Sequence, residues 1–138
     1  MAFINLRTFP LILFLLFFST TIGYSKSFNT FENLTVAQSS KLIQNNQMNP
    51  KFVIIDLRTD GELAQGFIEN AVQLDFMRPG FFKKLKVLDK NKVYLIYCQS
   101  GYRSGKTFNM MSRLKFNTVY HMNEGFKSWA SSRYPIKN

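Results

Sequence analysis

The sequence predicts an α/β domain of three layers, with a mainly parallel central sheet and helices on both faces. Two observations carry that reading. The runs Phe52-Val53-Ile54-Ile55 and Val93-Tyr94-Leu95-Ile96-Tyr97 are short, continuous and rich in β-branched or aromatic residues, as in strands buried on both faces. Helix signals separate them, and strands alternating with helices need the crossover connections of a parallel sheet.

The elements follow in chain order. Residues 1–25 carry one positive charge at Arg7, then an apolar block over 9–18, then Ser19, Thr20, Thr21 and Gly23. This is the pattern of a secretory signal peptide, with cleavage fitting after Gly23 or after Ser25. The alternative is a retained anchor, although the block falls short of the roughly 20 residues a spanning helix needs. In either case the domain is expected outside the cell membrane, and membrane contact is expected only through this segment if it is uncleaved. Removing 25 of 138 residues leaves 113, enough for one core and too few for two. Residues 26–33 read as a short connecting segment ahead of a domain over 34–138.

Thr35 with Gln38 forms a capping box opening a helix that ends near Asn46, and Asn49-Pro50 stops it. A buried strand follows over 52–55, with Asp56, Leu57 and Arg58 at its carboxyl end. Thr59 with Glu62 repeats the capping box before a short helix over 61–65, and a short strand is expected over 71–74. Pro79 opens a helical piece through Leu85. Residues 93–97 form the central strand, 104–114 a helix, 117–121 a further strand and 126–131 a last helix. In such sheets ligands bind beyond the carboxyl ends of strands.

Cys98 sits at one of those ends. It is the only cysteine, so no internal disulfide exists and an exported chain would carry a free thiol. The segment Cys98-Gln99-Ser100-Gly101-Tyr102-Arg103-Ser104 runs from strand end through loop to helix start. That path aims successive backbone N–H groups at one point and favours a thiolate or an oxyanion. The expectation is an accessible, nucleophilic sulfur of lowered pKa; the alternative is a buried, inert cysteine. Asp56 and Arg58 are expected to satisfy loop amides and each other or Glu62. His121, the only histidine, reads as a strand-end residue, and one His with one Cys cannot build a metal cluster. Trp129 reads as a packing anchor and Tyr102 as an exposed loop residue able to shape acceptor access.

The net charge is +10, or +9 without Arg7. That balance favours anionic ligands or surfaces. No nucleic-acid motif accompanies it. The densest basic run, Lys83, Lys84, Lys86, Lys90 and Lys92, reads as a solvated face, with steering of small anions or contact with acidic lipid headgroups as the second reading.

Four ordered blocks resemble the rhodanese domain family. They are Val53-Ile54-Ile55-Asp56-Leu57-Arg58, then Glu62-Leu63 with Gly66-Phe67-Ile68-Glu69-Asn70-Ala71, then the Cys98 loop. The last is Asn123-Glu124-Gly125-Phe126-Lys127-Ser128-Trp129 with Tyr134-Pro135-Ile136, similar to the family's Gly-Gly-x-x-x-Trp and terminal Pro pattern. With the signal segment, the chain resembles exported single-domain rhodaneses of the phage-shock type, which implies a bacterial periplasmic location.

The resemblance implies a rhodanese-like fold and sulfur transfer through a Cys98 persulfide, with no cofactor. The partners it implies are a small anionic sulfur donor such as thiosulfate and a thiophilic acceptor such as cyanide or a thiol. Cys98 is then catalytic, and Gln99, Ser100, Gly101, Tyr102, Arg103 and Ser104 bind substrate and persulfide. Arg103 matches the loop-closing arginine, either pairing with an anionic donor or bracing the loop through backbone carbonyls. Three positions depart from the pattern: Gln99 is neutral where many loops carry a basic residue, Phe67 replaces a frequent His, and Glu124 a frequent Gly. Two other functions stay open. A cysteine phosphatase has five residues between Cys and Arg, whereas this loop has four; a non-catalytic binding module often lacks the cysteine.

Overall fold

Strands and helices alternate strictly along residues 29–138, which the computed structural model describes. In order they are β1 (Thr30–Leu34), α1 (Val36–Asn45), β2 (Phe52–Asp56), α2 (Asp60–Leu63), β3 (Ala71–Gln73), α3 (Phe81–Lys86), β4 (Val93–Tyr97), α4 (Tyr102–Arg113), β5 (Thr118–Met122) and α5 (Gly125–Ser131). The expected signal segment lies outside the described residues. Among the described residues no helix is long and apolar enough to cross a membrane.

The five strands form one sheet in the order β1-β5-β4-β2-β3, every pair parallel. Side chains alternate across β4, and that alternation defines two cores. Tyr94, Ile96 and Cys98 point toward Phe81 and Leu85 of α3 and Met111 of α4. Leu95 and Tyr97 point the other way, toward Val36 of α1 and Phe126 and Trp129 of α5. Helices therefore cover both faces, as the sequence predicts. Leu95 and Ile96 have no exposure at all, and such burial stabilises by about 1.5–3 kcal/mol per side chain. Trp129 anchors the second core while its Nε1–H donates to the Pro135 carbonyl at 2.9 Å.

The reading of 26–33 as a connecting segment needs correction. Residues 30–34 form edge strand β1, running in register from Thr30 beside Thr118 to Leu34 beside Met122. An edge strand has one neighbour and a wet side, so Glu32 and Asn33 interrupt the apolar signal; Phe31 packs edge-on to Phe108 at 5.2 Å and Leu34 is buried at the strand's end.

Both capping boxes form: the Gln38 side chain accepts from Thr35 N–H at 2.9 Å, and Glu62 Oε2 accepts from Thr59 N–H at 2.9 Å. Helix α3 starts at Phe81, two residues after the expected Pro79, because Gly80 takes a left-handed φ of 83°. Helix α4 starts at Tyr102 rather than Ser104, which puts Tyr102 and Arg103 in its first turn.

Candidate active site

The carbonyls of the cysteine loop are held by α5. Phe126 N–H donates to Cys98 O at 2.8 Å and Lys127 N–H to Gln99 O at 3.1 Å. Two glycines permit this approach. Gly125 has φ 71°, and a Cβ there would lie 2.6 Å from Gln99 O; Gly101 has φ 89°, and a Cβ there would lie 1.9 Å from Asn123 O.

With its carbonyls turned out, the loop turns its N–H groups in. Ser104 N–H donates to Cys98 Sγ at 3.4 Å and Ser104 Oγ lies 3.3 Å from it, and the amides of Ser100 and Gly101 also donate to the sulfur. Burial pushes the thiol pKa up, but these donors together outweigh it and leave the thiol below its ordinary value. The convergence expected from the sequence is present.

The expected accessibility is not. Cys98 is 0 % exposed. Strand alternation explains the difference: Cys98 continues the inward series of Tyr94 and Ile96 and joins their core.

Arg103 braces the loop in a way the sequence did not suggest. Its Nη1 and Nη2 bind the Glu62 carboxylate at 2.8 and 2.6 Å, a two-pronged pair that is 18 % and 26 % exposed. The Arg103 hydrogen bond is the main cause that lowers the Glu62 pKa to about 2. Glu62 in turn holds Arg103 above its ordinary value, with Cys98 adding to the effect. Arg103 thus meets a carboxylate where the sequence reading had an anionic donor or backbone carbonyls.

The pairing of Asp56 with Arg58 is as expected. Both are 1 % exposed and joined at 2.7 Å. Arg58 also donates to Gly66 O at 2.8 Å, to Glu62 O at 3.2 Å and to Gln99 Oε1 at 3.4 Å, and stacks 3.7 Å from the centre of the Phe126 ring. This guanidinium ties β2, α2 and the cysteine loop together, and it orients Gln99. Ser100 is exposed on the loop rim, and Tyr102 is 68 % exposed beneath the Lys106 ammonium, 4.4 Å from the ring centre.

Two residues near the sulfur were missed as site residues. His121, read as a strand-end residue, places Nε2 2.8 Å from Ser104 Oγ and Nδ1 2.8 Å from Asn33 Oδ1. Burial holds its pKa below the ordinary histidine value. Asn33 lay in the segment read as a connector. The pairing of β1 with β5 brings them together across 88 positions, and no local pattern announces it.

The departures at Phe67 and Glu124 have structural outcomes. Phe67 pairs through its backbone with Lys137, exchanging two bonds of 2.8 Å. Glu124 Oε2 accepts from Val36 N–H at 2.6 Å, where a carboxylate complements the start of α1.

The model of the Rhodanese-like domain matches residues 39–132. The chain belongs to the rhodanese-like domain family. Among relatives, YtwF of Bacillus subtilis (strain 168) is 32% identical over 90 residues, 64% of this chain and 84% of that protein. A sulfurtransferase of Allochromatium vinosum is 30% identical over 84 residues, 61% of this chain and 77% of that protein. A tRNA uridine(34) hydroxylase of Legionella pneumophila (strain Corby) is 27% identical over 119 residues, and the match spans 81% of this chain but 45% of that longer protein. A rhodanese-related protein from Thermoplasma volcanium has the same fold, with a TM-score of 0.61 at 24% identity over 80% of this chain and 98% of that one. The match starts at residue 39, so β1 and Asn33 lie outside it.

Proposed function

We propose that this rhodanese-like protein is a sulfurtransferase that carries a sulfane sulfur on Cys98 between a small anionic donor such as thiosulfate and a thiophilic acceptor such as cyanide or a thiol. The observation that carries the reading is the ring of donors from Ser100, Gly101 and Ser104 on the sulfur of the chain's single cysteine. These donors stabilise a thiolate, and the same donors suit the terminal anion of a persulfide.

The chemistry balances without a cofactor. The Cys98 thiolate attacks the outer sulfur of thiosulfate, the S–S bond of the donor breaks, and sulfite leaves with its electron pair. In the second half the acceptor attacks the terminal sulfur of the persulfide and the thiolate returns. Gln99, Ser100, Gly101, Tyr102, Arg103 and Ser104 form the wall that receives the donor. Export to a bacterial periplasm completes the proposal and rests on the segment over 1–25.

The test is the intact mass of the protein after exposure to thiosulfate. It should rise by one sulfur atom, return to its start on adding cyanide, and stay fixed in Cys98→Ser, which should also abolish turnover. An unchanged wild-type mass, or equal turnover in the Ser variant, overturns the proposal. Hydrolysis of an aryl phosphate would instead select the phosphatase reading, against which stands the loop's four residues between Cys98 and Arg103.

A further inference from the structure

Three polar side chains lead away from the candidate nucleophile to the exposed edge strand β1: Cys98 Sγ to Ser104 Oγ at 3.3 Å, Ser104 Oγ to His121 Nε2 at 2.8 Å, and His121 Nδ1 to Asn33 Oδ1 at 2.8 Å. Cys98 and Ser104 are 0 % exposed and His121 is 5 % exposed. Asn33 Oδ1 is an acceptor only, so Nδ1 carries the proton and Nε2 presents a lone pair to Ser104. The directions of the chain follow from that end. With a neutral thiol, S–H donates to Ser104 Oγ and Oγ–H donates to Nε2.

Moving one proton along the chain reverses both bonds and breaks none. Sγ then accepts from Oγ–H, Nε2–H donates to Oγ, and Asn33 Oδ1 continues to accept from Nδ1–H. Ser104 has a single proton, for which Gly101 O at 3.1 Å is a competing acceptor, and each state of the chain uses it once. Burial opposes a charge on the imidazole, and its hydrogen bond to the Gly101 backbone works against that cost. From β1 the imidazole meets Asn33; from α4 it meets Ser104 and the Phe108 ring, 5.5 Å between centres; and the backbone of Gly101 hydrogen-bonds to it. Cys98 is the titratable group it reaches through Ser104. The charged group facing Cys98, Arg103, is already bound by Glu62 on two oxygens, and Gln99 is neutral.

We propose that Ser104 and His121, both buried, with Asn33 at the sheet edge behind them, are a relay that accepts the Cys98 thiol proton, with His121 a positioning residue that acts on the sulfur through Ser104. The inference deepens the sulfur-transfer reading and rests on it for its purpose, since it supplies the thiolate that attacks the donor. The proton waits on Nε2 while sulfite departs with the S–S electron pair, and no further reactant is needed. A general base in such a position contributes on the order of 100-fold to the step it assists.

The experiment follows the alkylation rate of the full chain by iodoacetamide between about pH 5 and 10, the range that spans free His and Cys titration. Cys98 is the single thiol, so each rate belongs to one atom. His121→Gln keeps a polar group toward Ser104 but removes the base; it should react on the order of 10- to 100-fold more slowly near neutral pH and converge with the wild type at the alkaline end. Asn33→Asp puts a charge behind the imidazolium and should move the rate profile to lower pH, a gain that a damaged fold does not produce. Adding His121→Gln to Ser104→Ala should slow the reaction no further. Profiles that superimpose, or a His121→Gln rate reduced by one factor at every pH, overturn the relay. The same samples are weighed after thiosulfate exposure. A mass gain with unshifted profiles sinks the relay alone, and shifted profiles without a mass gain uphold the relay and sink sulfur transfer.

Discussion

Replacing Glu62 with Gln tests how the loop is closed, because it removes the charge of the Arg103–Glu62 pair and keeps the shape. The Glu62 carboxyl lies at about 2 against an ordinary 4.5, with the Arg103 hydrogen bond the main lowering cause. Each pH unit of that gap is worth about 1.4 kcal/mol, which sets a ceiling of about 3 kcal/mol. The pair is 18 % and 26 % exposed, so solvent screening lowers the expected value to about 1–2 kcal/mol. The sign follows from a depressed folded pKa. The contribution is complete above about pH 4.5 and is lost as pH falls toward about 2. Urea unfolding of wild type and Glu62→Gln should therefore show a gap of about 1–2 kcal/mol at neutral pH that shrinks by more than half by about pH 3. A gap of the same size at both pH values would refute the assignment of the pair as the loop's electrostatic clasp.

Two further substitutions probe the scaffold. Gly101→Ala adds a Cβ 1.9 Å from Asn123 O at a φ of 89°, so it should destabilise by about 3 kcal/mol or more and abolish persulfide formation; denaturant melts with intact mass measure both, and a stable, active variant would show that the loop adapts. Glu124→Ala removes the acceptor 2.6 Å from Val36 N–H, so a loss of about 1–2 kcal/mol in the same melts is expected, with the alkylation profile of Cys98 unchanged.

The fold was legible where burial on both faces leaves a continuous apolar run. Strands β2 and β4 are of that kind, and the capping boxes at Thr35 and Thr59 marked the starts of α1 and α2. Edge strand β1 was not legible, because a strand with one neighbour tolerates Glu32 and Asn33. The start of α4 was missed by two residues for a different reason: Gly101, in a left-handed conformation, ends the loop, and that choice depends on Asn123 lying against it.

The candidate site shows the same division more sharply. Cys98, its place at the end of β4 and the inward aim of its loop amides are consequences of a strand–loop–helix path that the sequence carries locally. The partners of Arg103 and His121 arrive from a distance. Glu62 reaches Arg103 across 41 positions and Asn33 reaches His121 across 88, each through strand or helix neighbours fixed only when the sheet assembles. Burial of the thiol has the same origin, since the direction of Cys98 is set by the phase of β4 while the core it enters is supplied by α3 and α4. Residues inside the seven-residue loop thus account for where a thiolate forms. Those outside it account for the guanidinium already bound to a carboxylate and the imidazole held behind Ser104. Two chains with identical loops and different residues at 33, 62 and 121 should accordingly differ in the pH at which the sulfur becomes nucleophilic, while sharing the geometry of its amide ring.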